Sequence, residues 1–521
     1  MTDVRQDVKT VRINIESTIQ TFGTGYEIGP NLRKCSNLVH NWMTKDGITK
    51  SPFDYPELPF SYDVPFNPPA VSANGVGYWY GSPGNSDFYV GAIDPTNDKR
   101  EIYNLNTGDA LVQSGVSLGA GAPDTPFSFA YAGNLSQPTT FVCAAQGYLK
   151  GRIIDNFGAR IVTSYVPQPF DPDGSTPNFE TSPRIVYYHL ARVWLSYWSQ
   201  ISRRSLIFYS DPFNPTLIRG TNYVDVPDLC NVIFRTSASD LDISSTPHLF
   251  FGCLSSIWIL DGDPNRGNAF FRELRRDFGI RNAKHQVEVT GGSVFLATNN
   301  RLYILPSGSF DPVVISNGLR QKFDSLDRYL HLGWRNPYLY VFDPVNSVCW
   351  ICDFTNFPQT LNWSGPHTNA SQAGQAMGMV TDYPATANIY VPLTRDKTGP
   401  CILGTLNQDS STREMPIFET GYIYEPDADV GVKRVRFKIR QTLNEQTFTL
   451  RVTNNQGLGD TRSFILEASI SPNNDTISHI LVVFDPDRIS IGKFFFLELI
   501  SDTLINILDW QVEYRVVPRK D

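Results

Sequence analysis

The segment from Asp277 to Gly308, DFGIRNAKHQVEVTGGSVFLATNNRLYILPSG, constrains the fold more tightly than any other stretch of the chain. Val287 and Val289 alternate with polar residues, and Gly291-Gly292 supplies a turn. Val294-Phe295-Leu296 forms a second apolar run, Asn299-Asn300 turns again, and Leu302 to Leu305 runs back. A period of two between turn dipeptides predicts three short antiparallel strands, a meander. Three strands cannot bury both faces by themselves, so such a unit must recur or be covered.

It recurs. Alternating or apolar runs at Phe88–Ile93, Thr140–Ala145, Arg184–Leu190, Val193–Trp198, Ser205–Tyr209, Val232–Thr236, His248–Cys253, Tyr338–Phe342 and Val348–Phe354 follow one another along the chain, and pairs of them meet at short polar turns. They fall into groups spaced roughly forty to sixty residues apart, without the WD or kelch signatures of regular repeats. Helical periodicity is confined to Asn268–Arg276 and Asn317–Leu326, each long enough for about two turns. With 33 Phe, 24 Tyr, 38 Gly and 36 Pro in 521 residues, the composition agrees with an all-β, loop-rich chain.

Three regions follow. Residues 1–50 read as an N-terminal arm in which Val11, Ile13 and Ile15 alternate. Residues 51–415 read as an irregular β-propeller-like body with loop insertions, opening on a Pro- and aromatic-rich connector at 51–86. Residues 416–521 show cleaner alternation: Val435, Phe437 and Ile439 oppose Arg434, Arg436, Lys438 and Arg440, and Phe448, Leu450 and Val452 share one face. Seven strands in about a hundred residues predict a β-sandwich. The basic row of 434–440 faces either solvent or an acidic neighbour.

The net charge of −8 gives no global basic footprint for tight nucleic-acid binding, though acidic walls suit a passage that a duplex crosses without sticking. Seven scattered Cys argue against a disulfide scaffold and for assembly in a reducing compartment. No apolar run is long enough for a membrane-spanning helix, and charges occupy the first residues where a secretory segment would be apolar, so the expectation is a soluble protein made in the cytoplasm.

Few residues suggest chemistry. Gly115-Val116-Ser117-Leu118-Gly119 matches GxSxG, but the sequence that follows, AGAPDTP, suits no helix, so a flexible or inter-subunit loop is the better reading. Asp261, Asp263 and Asn265 have the one-three-five spacing of oxygen ligands for Ca²⁺, yet Arg266 replaces the required glycine and Glu273 falls one residue late. Turn capping explains them better, and the same applies to Asp427 and Asp429. Cys349 and Cys352 have CxxC spacing, but in a strand they point to opposite faces. The seven His lack metal-binding spacing. Tyr187, Tyr188, Trp194, Tyr197 and Trp198 read as sheet core or subunit contact rather than a sugar platform. No catalytic, cofactor or metal residue is assigned.

Four segments carry a family resemblance: CSNLVHNWMTKDGITKSPFDYP at 35–56, SLIFYSDP at 205–212, the 277–308 meander, and PIFETGYIYEPDADVGVKRVRFKIR at 416–440. Together they resemble the tail hub or nozzle proteins of short-tailed bacteriophages, also called tail tubular protein B or packaged-DNA stabilisation protein. The resemblance implies a structural virion protein without enzymatic activity or cofactors, assembled in the host cytoplasm as a homo-hexameric ring beneath the portal and its adaptor. Such a ring extends the channel for double-stranded DNA, retains the packaged genome and anchors fibres or spikes. A loop carrying Gly115, Ser117, Gly119 and Gly121 is the expected channel constriction. The alternatives are a glycan-binding or glycan-cleaving propeller and a propeller interaction scaffold.

Overall fold

A computed structural model describes residues 7–18, 31–36, 60–64, 72–82, 85–94, 99–104, 110–113, 128–134, 137–143, 152–155, 161–164, 183–199, 202–236, 248–264, 269–316, 330–343, 348–355, 357–359, 361–368, 375–376, 380–381, 389–394, 401–406, 417–440, 446–457, 460–470, 477–483, 491–501 and 506–519. The chain is all-β, with a propeller body followed by a sandwich. Helix is confined, among the described residues, to single turns such as Ala283–His285.

The meander predicted at 277–308 forms as Gln286–Val289, Gly292–Leu296 and Leu302–Pro306, and Gly291 takes the left-handed φ of +85° that its turn requires. A fourth strand from the same chain, Val313–Val314, covers its outer edge. This four-stranded antiparallel unit is a propeller blade. Six more are present among the described residues: blade one spans 72–113, two 128–164, three 185–226, four 230–275, the meander is five, six spans 331–368, and seven 375–406. The innermost strands of neighbouring blades abut all the way round, and Val380–Thr381 of blade seven touches both His331–Arg335 of blade six and Ser72–Ser82 of blade one. The ring therefore closes. Its clasp is Phe60–Val64, which pairs antiparallel with Cys401–Leu406 as the outermost strand of blade seven. Closure by an N-terminal strand leaves the last blade dependent on both ends of the body.

Most inner and middle strands were legible in the sequence and several outer strands were not; the connector expected at 51–86 is corrected at Ser72–Ser82, the innermost strand of blade one. Asn214–Val226 contains Pro215, Asn362–Thr368 contains Gly365-Pro366, and Phe60–Val64 sits in the segment expected to be a connector. The segment 268–276, read as two helical turns, is corrected: Phe270–Arg275 is the outer strand of blade four, paired with Ile257–Asp261. Pairing with an apolar strand overrides a helical preference that six residues alone cannot sustain. The companion segment 317–326 lies outside the described residues.

Blade-to-blade packing is aromatic. Between blades four and five, Phe234 meets Phe295 with ring centroids 6.0 Å apart, and Phe278 stacks on Tyr303 at 4.6 Å. Pairs of this kind are worth about 0.5–1.5 kcal/mol beyond their buried area. Phe278 and Ile280 belong to the DFGI run that precedes the meander, so that run is a wedge between two blades rather than a strand. Gly279 permits the wedge, because a Cβ there would lie 2.1 Å from the Cys253 carbonyl oxygen.

The sandwich is built from both ends of the chain. One sheet runs Asp7–Arg12, Asn506–Pro518, Ala428–Arg440, Ile477–Val483, and the other contains Asn31–Ser36, Ile417–Thr420, Phe494–Ser501, Gln446–Gly457 and Asp460–Ile470. Val435, Phe437 and Ile439 of one sheet meet Phe448, Leu450 and Val452 of the other in a shared core, as the alternation predicts. Asn31–Ser36 also pairs, at Cys35, with Gly365 on the outer strand of blade six, joining sandwich to propeller. The basic row of 434–440 meets an acidic neighbour in its own sheet: Arg434 and Arg436 lie 3.8 and 2.8 Å from Glu513.

Candidate functional site

The residues that sequence reasoning singled out are distributed over the body and do not converge. Gly115, Ser117, Gly119 and Gly121 lie outside the described residues, as does Asn265. Asp261 Oδ1 is 3.1 Å from His248 Nδ1, and Asp263 Oδ1 accepts a hydrogen bond from Arg192 Nη2 at 3.2 Å, so both carboxylates have protein partners. Asp427 has a left-handed φ of 57°, and Asp429 pairs with Arg519 at 2.8 Å, which are turn and clasp roles. Cys349 and Cys352 stand three apart in Val348–Asp353; Cys352 is fully buried, and burial raises its thiol pKa well above the usual value. Trp194 and Tyr197 are core residues on opposite faces of blade three, and Trp194 Nε1 donates to the His189 carbonyl at 3.3 Å.

The site that the tertiary structure assembles lies instead toward the propeller axis, around Glu288. Sequence reasoning placed Glu288 only as a polar residue between Val287 and Val289. Gln286–Val289 is the innermost strand of blade five, Ile185–His189 that of blade three, and Arg235 directly follows Cys230–Phe234, that of blade four. Tyr187 donates its phenolic proton to Glu288 Oε1 in a short hydrogen bond. Arg235 Nε donates to Glu288 Oε2 at 3.1 Å. A side chain of blade three thus reaches one of blade five past blade four, which adjacent radial sheets permit only at their inner margin.

The electrostatics of Glu288 reflect that position. Burial raises its pKa above the ordinary carboxyl value, and Arg235 and the Tyr187 hydroxyl partly offset the rise. Its side chain retains 28% exposure. No second carboxylate contributes to the shift among the described residues. The constellation can hold a proton at Glu288, or keep a carboxylate neutralised by Arg235. The ionised pair is neutral, whereas a proton on Glu288 leaves the positive charge of Arg235 at this point. The signal that could have found it is the single acidic residue in the inner strand of a meander, which becomes informative only once the blade order is known.

No protein-family model matches the chain, and comparison with curated protein sequences finds no match. Among solved structures, the chain is similar to an exo-β-1,3-galactanase from Phanerochaete chrysosporium, with 9% identity, 78% of this chain and 99% of that one covered, and a TM-score of 0.28. It is also similar to Kluyveromyces lactis Hsv2, with 9% identity, coverage of 68% and 95%, and a TM-score of 0.32. A third is BBS1N, solved in complex with ARL6DN, with 10% identity, coverage of 72% and 98%, and a TM-score of 0.32. Likeness at this distance carries no functional argument.

Proposed function

We propose that this chain is a structural subunit of the tail nozzle or hub of a short-tailed phage, forming a ring that extends the DNA channel, retains packaged DNA and anchors fibres or spikes. The observation that carries the reading is where the family-resembling segments fall in the fold. The stretch 205–212 lies on the third strand of blade three, with Arg204–Asp211. The stretch 277–308 supplies the inter-blade wedge and most of blade five. Cys35 sits on the strand joining blade six to the sandwich, and 416–440 leads into the sandwich itself. The stretch 277–308, Cys35 and the segment 416–440 thus lie where one unit of the fold meets the next, while 205–212 is an interior strand of its blade. A net charge of −8 and a paired Glu288 suit walls along which a duplex slides rather than binds.

A second reading, a glycan-binding or glycan-cleaving propeller, draws on Glu288, since a carboxyl with a raised pKa near a propeller axis is the kind of group that serves as a general acid. One pair of experiments separates the two. Negative-stain images of the purified protein and of virions showing rings of about six copies, or density on the tail axis, support the nozzle. A stable monomer that releases sugar from a polysaccharide panel, and loses that activity in Glu288→Gln, overturns it.

A further inference from the structure

Among the described residues Cys230, Cys253 and Cys352 are free thiols, and the first two are placed as a pair. Cys230 opens the innermost strand of blade four and Cys253 closes the next, and the ladder sets them directly opposite one another. Both are fully buried, both are free thiols, and both pack into the same apolar cluster between blades three and four. Their side chains therefore lie on one face of the blade.

The hydrogen bonding around them fixes the kind of pair. Cys230 N donates to Ser205 Oγ at 2.9 Å and Cys253 N to the Ser256 carbonyl at 2.8 Å, so the two residues exchange no backbone bonds. The flanking bond, Leu254 N to the Leu229 carbonyl at 2.9 Å, is the one that brackets a non-hydrogen-bonded pair of an antiparallel ladder. At such a pair the Cα atoms stand about 4.5 Å apart, inside the range of about 4.4–6.8 Å that a disulfide spans. A bond can thus form without moving either strand far.

We propose that Cys230 and Cys253 form a dithiol site that closes reversibly to a cross-strand disulfide when a small-molecule disulfide reaches it. The thiolate of one cysteine attacks a sulfur of oxidised glutathione, forming a mixed disulfide and releasing one glutathione. The second cysteine then attacks the protein sulfur of that mixed disulfide and releases the other. Two thiol protons leave with the two glutathiones, the protein pair is oxidised by two electrons, and the glutathione disulfide is reduced by the same two. The route in is the neighbouring turn. Leu254 is 45% exposed, and Ser255 and Ser256 are held by a single carboxylate, Asp228 Oδ2, at 2.7 to 2.9 Å. Opening this turn uncovers Cys253 without unfolding the blade. Burial raises the Cys253 pKa, which keeps the thiol unreactive while the turn is shut.

The test uses the full-length protein incubated with oxidised glutathione, in buffer and in a series of urea concentrations below the unfolding transition. Free thiols are then alkylated under denaturing conditions and the peptides mapped by mass spectrometry. The expected product is a peptide pair linking Cys230 to Cys253, two hydrogens lighter than the dithiol. It should form faster in Asp228→Ala, revert with dithiothreitol, and be absent in Cys253→Ser but present in Cys352→Ser. If glutathione adducts accumulate on either cysteine without the link, or the link joins either to another cysteine, the proposal fails. It also fails if both thiols stay fully alkylatable at urea concentrations where iodoacetamide already modifies Cys253 in the folded protein.

Discussion

The guanidinium of Arg192, on the second strand of blade three and only 2% exposed, donates to Asp263 at the end of the third strand of blade four, 3.2 Å away. Its other terminal nitrogen donates to the Ser210 carbonyl at 2.8 Å, and its plane lies over the Tyr209 ring at 5.7 Å from the centroid. One buried cation thus ties two blades together. The two partners are not equivalent, because Asp263 can turn to water and Arg192 cannot. Asp263→Ala takes the bonded carboxylate from the buried guanidinium, which keeps the Ser210 carbonyl and the field of Asp211, and should be the costlier change, up to roughly 3–5 kcal/mol. Arg192→Met, which leaves a rehydratable carboxylate and one unpaired carbonyl, should cost about 1–3 kcal/mol. Urea unfolding of both variants measures the order, and equal losses would show that the pair is not the tie.

Gly279 carries the DFGI wedge past the end of blade four. A Cβ at this position would lie 2.1 Å from the Cys253 carbonyl oxygen and 2.5 Å from the Leu254 carbonyl carbon, both backbone atoms that cannot swing aside. Gly279→Ala should therefore destabilise by about 2 kcal/mol or more, as over-packing against fixed atoms does. Gly308→Ala meets nothing within 4 Å, and only its left-handed φ of +76° is strained, so its cost should be nearer 1 kcal/mol. Thermal melts of the two variants side by side test the ranking.

His285 is 1% exposed, its Nε2 has no hydrogen-bond partner among the described residues, and burial with Lys284 and Arg281 nearby lowers its pKa to about 3. A histidine whose folded pKa lies below its unfolded value resists protonation in the native state. The unfolded chain takes up a proton below about pH 6.5 that the folded chain accepts only near pH 3. Stability contributed at neutral pH is thus lost as pH falls across that window, by at most roughly 1.4 kcal/mol per pH unit from this residue. His285→Gln should flatten the dependence of urea midpoint on pH between about 6 and 4. An unchanged slope would mean that other groups set it.

The N-terminal strand is held at the sandwich by Lys9 to Glu425 and Arg12 to Asp509, at 2.7 and 2.6 Å. Lys9 and Arg12 are 50% and 67% exposed. Exposed pairs contribute little, so Lys9→Ala with Arg12→Ala should cost about 1 kcal/mol or less and show a smaller effect in high salt. Deleting residues 1–64 is different in kind, since it removes Asp7–Arg12 and Asn31–Ser36 from the sandwich and the Phe60–Val64 clasp from blade seven. The truncated chain should fail to fold cooperatively by circular dichroism and limited proteolysis, and a native-like melt would remove the clasp from the account.

The sequence by itself determined the local units. Period-two alternation with Gly and Asn turns marks a strand whether or not its neighbours are known, so the meander at 286–306, most inner hairpins and the sandwich core of Val435, Phe437, Phe448 and Leu450 were legible, while Ser72–Ser82 was hidden in the connector reading. Outer strands such as Asn214–Val226 and Phe270–Arg275 were hidden because they have one blade face and a solvent edge, and their residues follow no apolar period. Tertiary structure alone decided how the units close. That Phe60–Val64 clasps a strand some 340 residues later, or that the two ends of the chain share one sandwich, is a long-range pairing with no local signature. The Glu288 site belongs to the same class. Tyr187, Arg235 and Glu288 come from three successive blades, and their proximity exists only because the blades are arranged round an axis.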